Sequence, residues 1–258
     1  MTVRHFRATV EYDGTDFAGF QWQQNFRTAQ GVLESAIERR TGQSIRLTGA
    51  GRTDAGVHAL GQVVSFGVET AIPIERMALA LNSALPEDVA VSKVEETRAD
   101  FNARFSASSR VYGYLILNGR VRSALWRRFS ALHLEPLDVN EMQRAADLLL
   151  GERDFAAFAN ELQPDEPTMR NVMHCGVRRF GRFVFVRIEA NAFLRGMVRT
   201  TVGTLMQVGS GARKAASIVE LLETRDRRMA GPSAPAHGLC LIRVKYGERV
   251  SYASKGKS

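Results

Sequence analysis

Hydrophobic and polar residues alternate near the start of the chain, where four hydrophobic positions are separated by polar neighbours: Phe6, Ala8, Val10 and Tyr12. This two-residue period predicts a half-buried strand, which the turn at Asp13-Gly14 ends. The same patterns predict five further elements: a helix capped by Thr28 and ended by Gly42, strands Ser44–Thr48 and Gly61–Gly67, a helix Ile74–Leu85 and a strand Val89–Val94. The order β-α-β-β-α-β is the ferredoxin-like pattern.

The second part of the chain predicts the same order without a visible sequence repeat. Its predicted elements are a strand Ser109–Leu117, a helix opened by Asp138 and ended by Gly151, a hairpin of Val172–Phe180 and Phe183–Ala190 around Gly181, helices Leu194–Val208 and Lys214–Leu222, and a strand Leu239–Tyr246. We therefore predict an α+β fold, in which two ferredoxin-like (RRM-like) βαββαβ halves form an extended antiparallel sheet with helices on one face. The predicted division is an N-terminal domain at 1–103, a basic C-terminal domain at 104–247 and a fraying tail at 248–258.

A glycine-rich loop, Gly49–His58, lies in an excursion from Gly49 to Leu60 that separates the two central strands of the first half. The second half has a tight hairpin at the equivalent place. The excursion lacks the third glycine of a dinucleotide-binding loop, because Asp54 stands there. It lacks the Walker A lysine as well, because Val57 follows Gly56. The loop therefore presents a carboxylate and not a phosphate cradle. The residues alone leave two interpretations of Asp54 open: a catalytic acid, or an Asx-turn residue that pairs with a nearby arginine.

The charge distribution favours a polyanionic partner. The formal net charge is +8 and the pI about 10.0. Residues 1–103 contain 10 basic and 13 acidic residues, whereas the remainder contains 25 and 14. Of the 35 cations 30 are arginine, whose planar guanidinium suits phosphate contacts and stacking on bases. Nucleic acid is favoured over a membrane surface, since no basic amphipathic helix stands out; solvated arginine faces are the alternative explanation.

Other function classes find no support in the composition. No stretch approaches the 18 apolar residues of a membrane helix, and the first residues lack the apolar core of a signal peptide. Cys175 and Cys240 form no CxxC motif and suit a reducing compartment, and the five histidines are scattered. We expect a cytoplasmic protein without a metal or nucleotide cofactor, whose chemistry needs one carboxylate.

The ten-residue loop is followed by Gly61-Gln-Val63, and shorter motifs occur across nearly the whole chain: Glu11–Gly14, Phe101–Ala107, Arg170–Val172, Asn191–Phe193, Met197–Arg199 and Gly238–Leu239. In this order the series resembles the TruA family of tRNA pseudouridine synthases, and the ten-residue loop is its specific element. The resemblance implies an isomerase that converts uridine to pseudouridine at tRNA nucleotides 38 to 40, in the anticodon stem-loop. It also implies a homodimer whose tRNA contacts cross both subunits.

The resemblance assigns five residues. Asp54 matches the catalytic aspartate, expected to be the nucleophile; the resemblance leaves open whether it attacks the sugar or the base, or assists a proton abstraction. Arg52 matches the arginine that helps to flip the nucleotide, and Tyr112 the tyrosine that stacks on the target base. Arg199 matches the arginine that pairs with the catalytic acid, and Leu239 is expected to line the base pocket. Without the family, Arg52 is equally a partner of Asp54, Arg199 an exposed helix arginine, and Tyr112 and Leu239 core residues.

Two other functions compete with this one. A non-catalytic RNA-binding platform agrees with the charge asymmetry, although the aromatic-rich signature of true RRM domains is missing. A ferredoxin-like enzyme of small molecules has no obvious use for the excess of arginine. His58, also in the loop motif, is interpreted as a residue that orders the loop and not as a base.

Overall fold

A computed structural model describes residues 2–247, so the predicted tail at 248–258 lies outside the described residues. The strands are β1 Arg4–Tyr12, β2 Thr48–Gly49, β3 His58–Val68, β4 Val89–Glu96, β5 Ser109–Asn118, β6 Ala131–His133, β7 Gly151–Asp154, β8 Met169–Phe180, β9 Phe183–Ala190 and β10 Leu239–Lys245. The helices are α1 Ala29–Thr41, α2 Ile74–Asn82, α3 Val139–Asp147, α4 Met197–Gly209 and α5 Ser217–Thr224. The predicted α+β class is confirmed.

The strands form a single mixed sheet in the order β4-β1-β3-β10-β5-β9-β8-β7, with β2 paired to β3 and β6 to β5. In the first half β1 lies between β4 and β3, and in the second half β5 lies between β10 and β9, the central position that the first strand has in a ferredoxin-like unit. Most neighbours are antiparallel, as predicted. The exceptions are β5 with β6, and β10 with β3, where Cys240 lies opposite His58 and Leu241 opposite Ala59. The β3–β10 pair joins the two halves.

Local sequence explains the elements that were predicted. The alternating residues of β1 are buried, at 0% exposure for Phe6 and Val10. The hydroxyl of Thr28 accepts the Gly31 amide at the start of α1, and Gly42 ends this helix in the left-handed conformation with φ 73°. Buried hydrophobic residues of both halves belong to one cluster. No helix within residues 2–247 has the length and apolarity to cross a membrane.

The prediction of a strand at Ser44–Thr48 is wrong. Only Thr48 and Gly49 pair with β3, because the backbone of Leu47 bonds to α1 instead. The Leu47 amide donates to the Glu34 carboxylate at 3.0 Å, and the Leu47 carbonyl accepts from the Gln30 amide at 3.3 Å. The short strands β6 and β7 were not predicted. Helices α2, α3, α4 and α5 begin or end a few residues away from the expected bounds; α3 ends at Asp147, and Gly151, expected to end it, begins β7.

Candidate active site

The loop that carries Asp54 is a tight turn held against the end of β1. The Val57 amide donates to the Asp54 carbonyl at 3.1 Å, and Gly56 has φ 76°, a conformation that favours glycine. The Thr53 hydroxyl lies 2.8 Å from that of Tyr12, which is buried. A Cβ on Gly14 would lie 2.0 Å from the Val57 carbonyl oxygen, so only glycine permits this approach. The turn is therefore fixed by the segment that follows β1.

The first residues of the loop are held from β3 and β5. The buried side chain of Gln62 donates to the Gly51 carbonyl at 2.6 Å and accepts the Gly51 amide at 3.3 Å. Arg110 donates through Nε and Nη2 to the Ala50 carbonyl at 3.2 and 3.0 Å. Hydrogen bonds to neighbouring strands hold both ends of the loop, so the loop has a defined conformation although it is rich in glycine.

His58 closes the loop and is buried. Its Nδ1 accepts the Gly14 amide at 2.9 Å, so Nε2 carries the proton and donates to the Arg128 carbonyl at 2.8 Å. Asp13 Oδ1 lies 3.1 Å from Nδ1, but in this tautomer the contact is not an ion pair. The ring contacts Phe129 at 4.9 Å between centroids. Nε2 also lies 3.2 Å from the His237 carbonyl, so His58 contacts three segments, which agrees with the ordering role interpreted from the sequence.

The Asp54 carboxylate faces an arginine from the other half of the chain. Arg199, in the first turn of α4, places Nη1 3.2 Å from Asp54 Oδ2. Its Nε donates to the Ala234 carbonyl at 2.8 Å, and the Ala234 amide donates to the Arg199 carbonyl at 3.0 Å. The side chain of Asp54 is 35% exposed, and its Oδ1 makes no hydrogen bond within residues 2–247. One oxygen is therefore oriented and the other is free to react.

Tyr112 lies next to the loop on β5. Its side chain is buried and meets the ring of Phe193 edge-on at 5.1 Å. The hydroxyl lies 3.5 Å from the position of a Cβ on Gly51 and makes no hydrogen bond to a described residue. Burial, followed by the neighbouring Tyr12 and the Asp54 carboxylate, raises the pKa of Tyr112. The phenol therefore stays protonated at neutral pH.

The remaining two predicted residues are Leu239, which is buried, and Arg52, which is exposed. Leu239 begins β10, is 5% exposed and lies opposite Tyr114, while Leu241 lies opposite Tyr112. Leu239 therefore lies on the strand next to Tyr112, displaced by two residues along the strand direction. Arg52 is exposed and makes no hydrogen bond or ion pair in the part of the chain described. Of the two arginines considered as partners of Asp54, only Arg199 contacts it.

A polar cluster behind Arg199 was not predicted from the sequence. The Asn160 side-chain oxygen accepts from Thr200, Ser233 and Arg227 at 3.1, 2.8 and 3.3 Å. A Cβ on Gly196, which has φ 75°, would lie 2.3 Å from Asn160 Nδ2, so the amide packs against the start of α4. The cluster thus fixes the helix and the segment that together hold Arg199. No short motif indicates it, because its members are far apart in the chain.

No group of three or more His, Cys, Asp and Glu side chains that could hold a metal ion occurs among residues 2–247. A shallow groove lies elsewhere, between α1 and the residues that follow α2, and is lined by Trp22, Arg39 and Pro86 among others. It contains none of the five predicted site residues. The candidate site is therefore defined by the contact between the Asp54 loop, β5 and α4.

Comparisons with known proteins point to one family. A sequence profile described as tRNA pseudouridine synthase matches residues 8–106 and 145–247. The tRNA pseudouridine synthase A of Syntrophomonas wolfei subsp. wolfei is 43% identical over 246 residues, which cover 95% of this chain and 99% of that protein. The protein of the same name from Enterobacter sp. (strain 638) is 45% identical over 247 residues, covering 96% and 92%. A solved structure, “Crystal Structure of a Cbf5-Nop10-Gar1 Complex”, aligns with 93% of this chain and 50% of its own at 14% identity and a TM-score of 0.40.

Proposed function

The chain belongs to the tRNA pseudouridine synthase family, whose members isomerise uridine in tRNA, and we propose that it acts on the anticodon stem-loop with Asp54 as the nucleophile. The observation that carries this proposal is the contact of Asp54 with Arg199. The contact spans 145 residues and orients one carboxylate oxygen while the other stays unbonded. A carboxylate in this state suits attack on a reacting nucleotide.

The reaction needs few groups from the protein. The bond between uracil N1 and the ribose breaks, the uracil rotates, and C5 is joined to the ribose; the C5 proton leaves and N1 gains a proton. No external reagent is consumed. The enzyme must therefore supply a nucleophile and hold the detached base in place. Asp54 supplies the first function, and the ring of Tyr112 with the wall at Leu239 supplies the second.

The target nucleotide must leave its stem before it reaches Asp54. Extrusion of a base costs a few kcal/mol, which the protein offsets with contacts to the opened strand. Arg52 is exposed, lies two residues from Asp54 and has no partner within residues 2–247. These properties suit a side chain that occupies the space the nucleotide leaves. Arg52 is thus assigned to extrusion and Arg199 to the orientation of the nucleophile.

The test is the release of tritium from C5-labelled uridine in unmodified tRNA. Asp54→Asn keeps the size of the side chain and removes the nucleophile, so release should fall to background while tRNA binding stays within about threefold of wild type. Asp165→Asn is the matched control, because Asp165 has φ 61°, which asparagine tolerates, and its side chain makes no hydrogen bond or ion pair with the described residues. Undiminished release by Asp54→Asn would refute the assignment of the nucleophile.

The same assay separates the competing function. A non-catalytic RNA-binding platform predicts that wild-type protein binds tRNA and releases no tritium. Mapping of pseudouridine in tRNA isolated after the reaction tests the position: product at nucleotides outside the anticodon stem-loop would contradict the proposed target.

The homodimer and the cytoplasmic location remain predictions from the resemblance and the sequence. Sedimentation of the purified chain at micromolar concentration should give twice the mass of the 28.6 kDa chain. A species at the mass of one chain, with full activity, would contradict the dimer. Fractionation of cells should place the protein with the tRNA pool.

A further inference from the structure

The loop between β5 and β6, residues 119–130 and called here the β5–β6 loop, has a composition that the proposed reaction does not use. It contains four arginines and no acidic residue. Three arginines are exposed and make no hydrogen bond or ion pair with any described residue: Arg120, Arg122 and Arg127. Hydrophobic side chains between them are exposed too, at 86% for Leu125, 44% for Trp126 and 41% for Phe129. Unpaired cations interleaved with an exposed aromatic residue are typical of nucleic-acid contacts.

The second stem of this loop borders the Asp54 loop. The Arg128 carbonyl accepts from His58 Nε2 at 2.8 Å, and Phe129 contacts the His58 ring. The guanidinium of Arg128 lies 3.6 Å from Asp13, the residue before the glycine that touches the Asp54 turn. The end of the β5–β6 loop therefore contacts His58, the residue that closes the Asp54 loop.

The loop is held in a defined shape. Trp126 packs edge-on against Phe183 of β9 at 5.3 Å, and the Ser130 amide and hydroxyl both donate to the Trp126 carbonyl at 2.9 Å. The Val121 carbonyl accepts from Arg182 at 3.3 Å. Because the backbone of the loop and the indole of Trp126 are already held in place, binding of a partner to the exposed side of the loop costs little of their conformational entropy.

We propose that the β5–β6 loop binds the RNA strand of the substrate beside the target nucleotide, with Arg120, Arg122 and Arg127 on phosphates and Trp126 stacked on a base. The proposal rests on the proposed function, since it takes tRNA as the substrate. A second copy of this chain is the competing occupant of the exposed hydrophobic side chains. A two-fold interface is built from the same patch of both copies, so it would gather the arginines of two loops with no acid on either loop to offset their charge. The charge therefore favours RNA.

A charge-only triple variant tests the phosphate contacts. Arg120→Gln/Arg122→Gln/Arg127→Gln removes three charges, and Arg40→Gln/Arg76→Gln/Arg153→Gln removes three exposed, unpartnered arginines from α1, α2 and β7 as a matched control. The loop variant should raise the KM for tRNA at least about tenfold while kcat stays within about threefold. The slope of log Kd plotted against log salt concentration should be shallower than that of wild type by about two to three. The control should match wild type. Equal KM and slope in both triple variants would overturn the proposal.

Failure of the proposed function gives a different result. If wild-type protein forms no pseudouridine, the comparison of Kd and salt slope between the two triple variants still decides whether the loop binds RNA. If Leu125→Ser dissociates a dimer and leaves the KM and Kd for tRNA unchanged, the surface joins two copies, which also overturns the proposal.

Tryptophan fluorescence tests the stacking contact, because the chain has only Trp22 and Trp126. With Trp22→Phe, the emission of Trp126 should be quenched by saturating tRNA after correction for absorbance, since a stacked base quenches indole. With Trp126→Phe, the emission of Trp22 should change little. Unchanged Trp126 emission at saturating tRNA would contradict the stacking.

Discussion

The structure brings the Asp54 carboxylate and the Tyr112 phenol close together, and the two groups differ in their exposure to solvent and in the charge of their neighbours. Asp54 is partly exposed and bonded to a cation, whereas Tyr112 is buried and its pKa is raised. Burial disfavours the phenolate, and the nearby carboxylate disfavours it further. Tyr112 is therefore a neutral phenol at neutral pH, and the part proposed for it is the stacking of its ring on the base.

This difference predicts the outcome of two substitutions at position 112. Tyr112→Phe keeps the ring, and the hydroxyl has no hydrogen-bond partner among described residues, so kcat should stay within about threefold of wild type. Tyr112→Ala removes the stacking surface, worth about 1–3 kcal/mol per base, and kcat/KM should fall about ten- to a hundredfold. Tritium release gives both values. Loss of activity in Tyr112→Phe with an unchanged melting temperature would make the hydroxyl a catalytic group.

Local patterns predicted the long elements, because alternation in β1 and caps in α1 are properties of neighbouring residues. The segment 44–48 also has a strand composition, yet Glu34 and Gln30 of α1 take the backbone groups of Leu47. Such competition between side chain and strand is decided by tertiary structure and is invisible in a local pattern. The same reason hid Asn160, whose partners lie 40 and 73 residues away.

The contact between Gly14, after the end of β1, and the Asp54 turn predicts that adding one methyl group at position 14 destabilises the protein. Gly14→Ala places a Cβ against the Val57 carbonyl, so the turn or the segment after β1 must move. We expect the free energy of unfolding to fall by about 1–3 kcal/mol and tritium release to fall more than tRNA binding. Gly119→Ala, with no atom within 4 Å, should keep the wild-type free energy of unfolding. Equal denaturant midpoints of the two variants would contradict this contact.

Glu189 ties three strands together. Its carboxylate accepts from Ser109 of β5 at 2.9 Å and from Arg187 of β9 at 3.1 Å, and Lys245 of β10 lies 2.6 Å away. Burial alone would raise the pKa of Glu189, but the hydrogen bonds from Lys245 and Ser109 and the charge of Arg187 outweigh it and hold the pKa below its ordinary value. The charged form is therefore the stabilising one.

Glu189→Gln should lower the free energy of unfolding at pH 7 by about 1–3 kcal/mol. Since the folded pKa lies below the ordinary value of about 4.3, the contribution of the carboxylate is complete above that pH and is lost as the pH falls through the lowered pKa. Urea unfolding at several pH values should thus show a difference that disappears in acid. The control is Glu152→Gln, a substitution of an exposed residue of β7, which should not change the free energy of unfolding at any of these pH values. A difference that persists at pH 2 would exclude the charge as its cause.

At the scale of the whole molecule, the candidate site exists only where the halves meet. Asp54 belongs to the first half, and Tyr112, Arg199 and Leu239 to the second. The loop motif indicated Asp54 from neighbouring residues, but the partnership with Arg199 followed only from the family resemblance, since helix arginines are usually exposed. The division after residue 103 stays a prediction, and the shared sheet and the Asp54–Arg199 contact show how closely the two parts are joined.

The net charge of +8 predicts a strong salt dependence of tRNA binding. If about six phosphates are contacted, the plot of log K against log salt should have a slope of about −4 or steeper. Filter binding between about 50 and 300 mM salt measures it. An affinity that does not change over this range would contradict binding dominated by phosphates.

Strand β10 follows every other described strand in the chain and lies between β3 and β5. On the ribosome, the first half and most of the second must wait with two unpaired strand edges until residues 239–245 have left the exit tunnel. Such edges invite wrong pairing with other chains. Chaperone demand should therefore persist until β10 emerges, and a nascent chain stalled with residues 239–245 inside the exit tunnel should be captured more than one in which a C-terminal linker has carried these residues out of it.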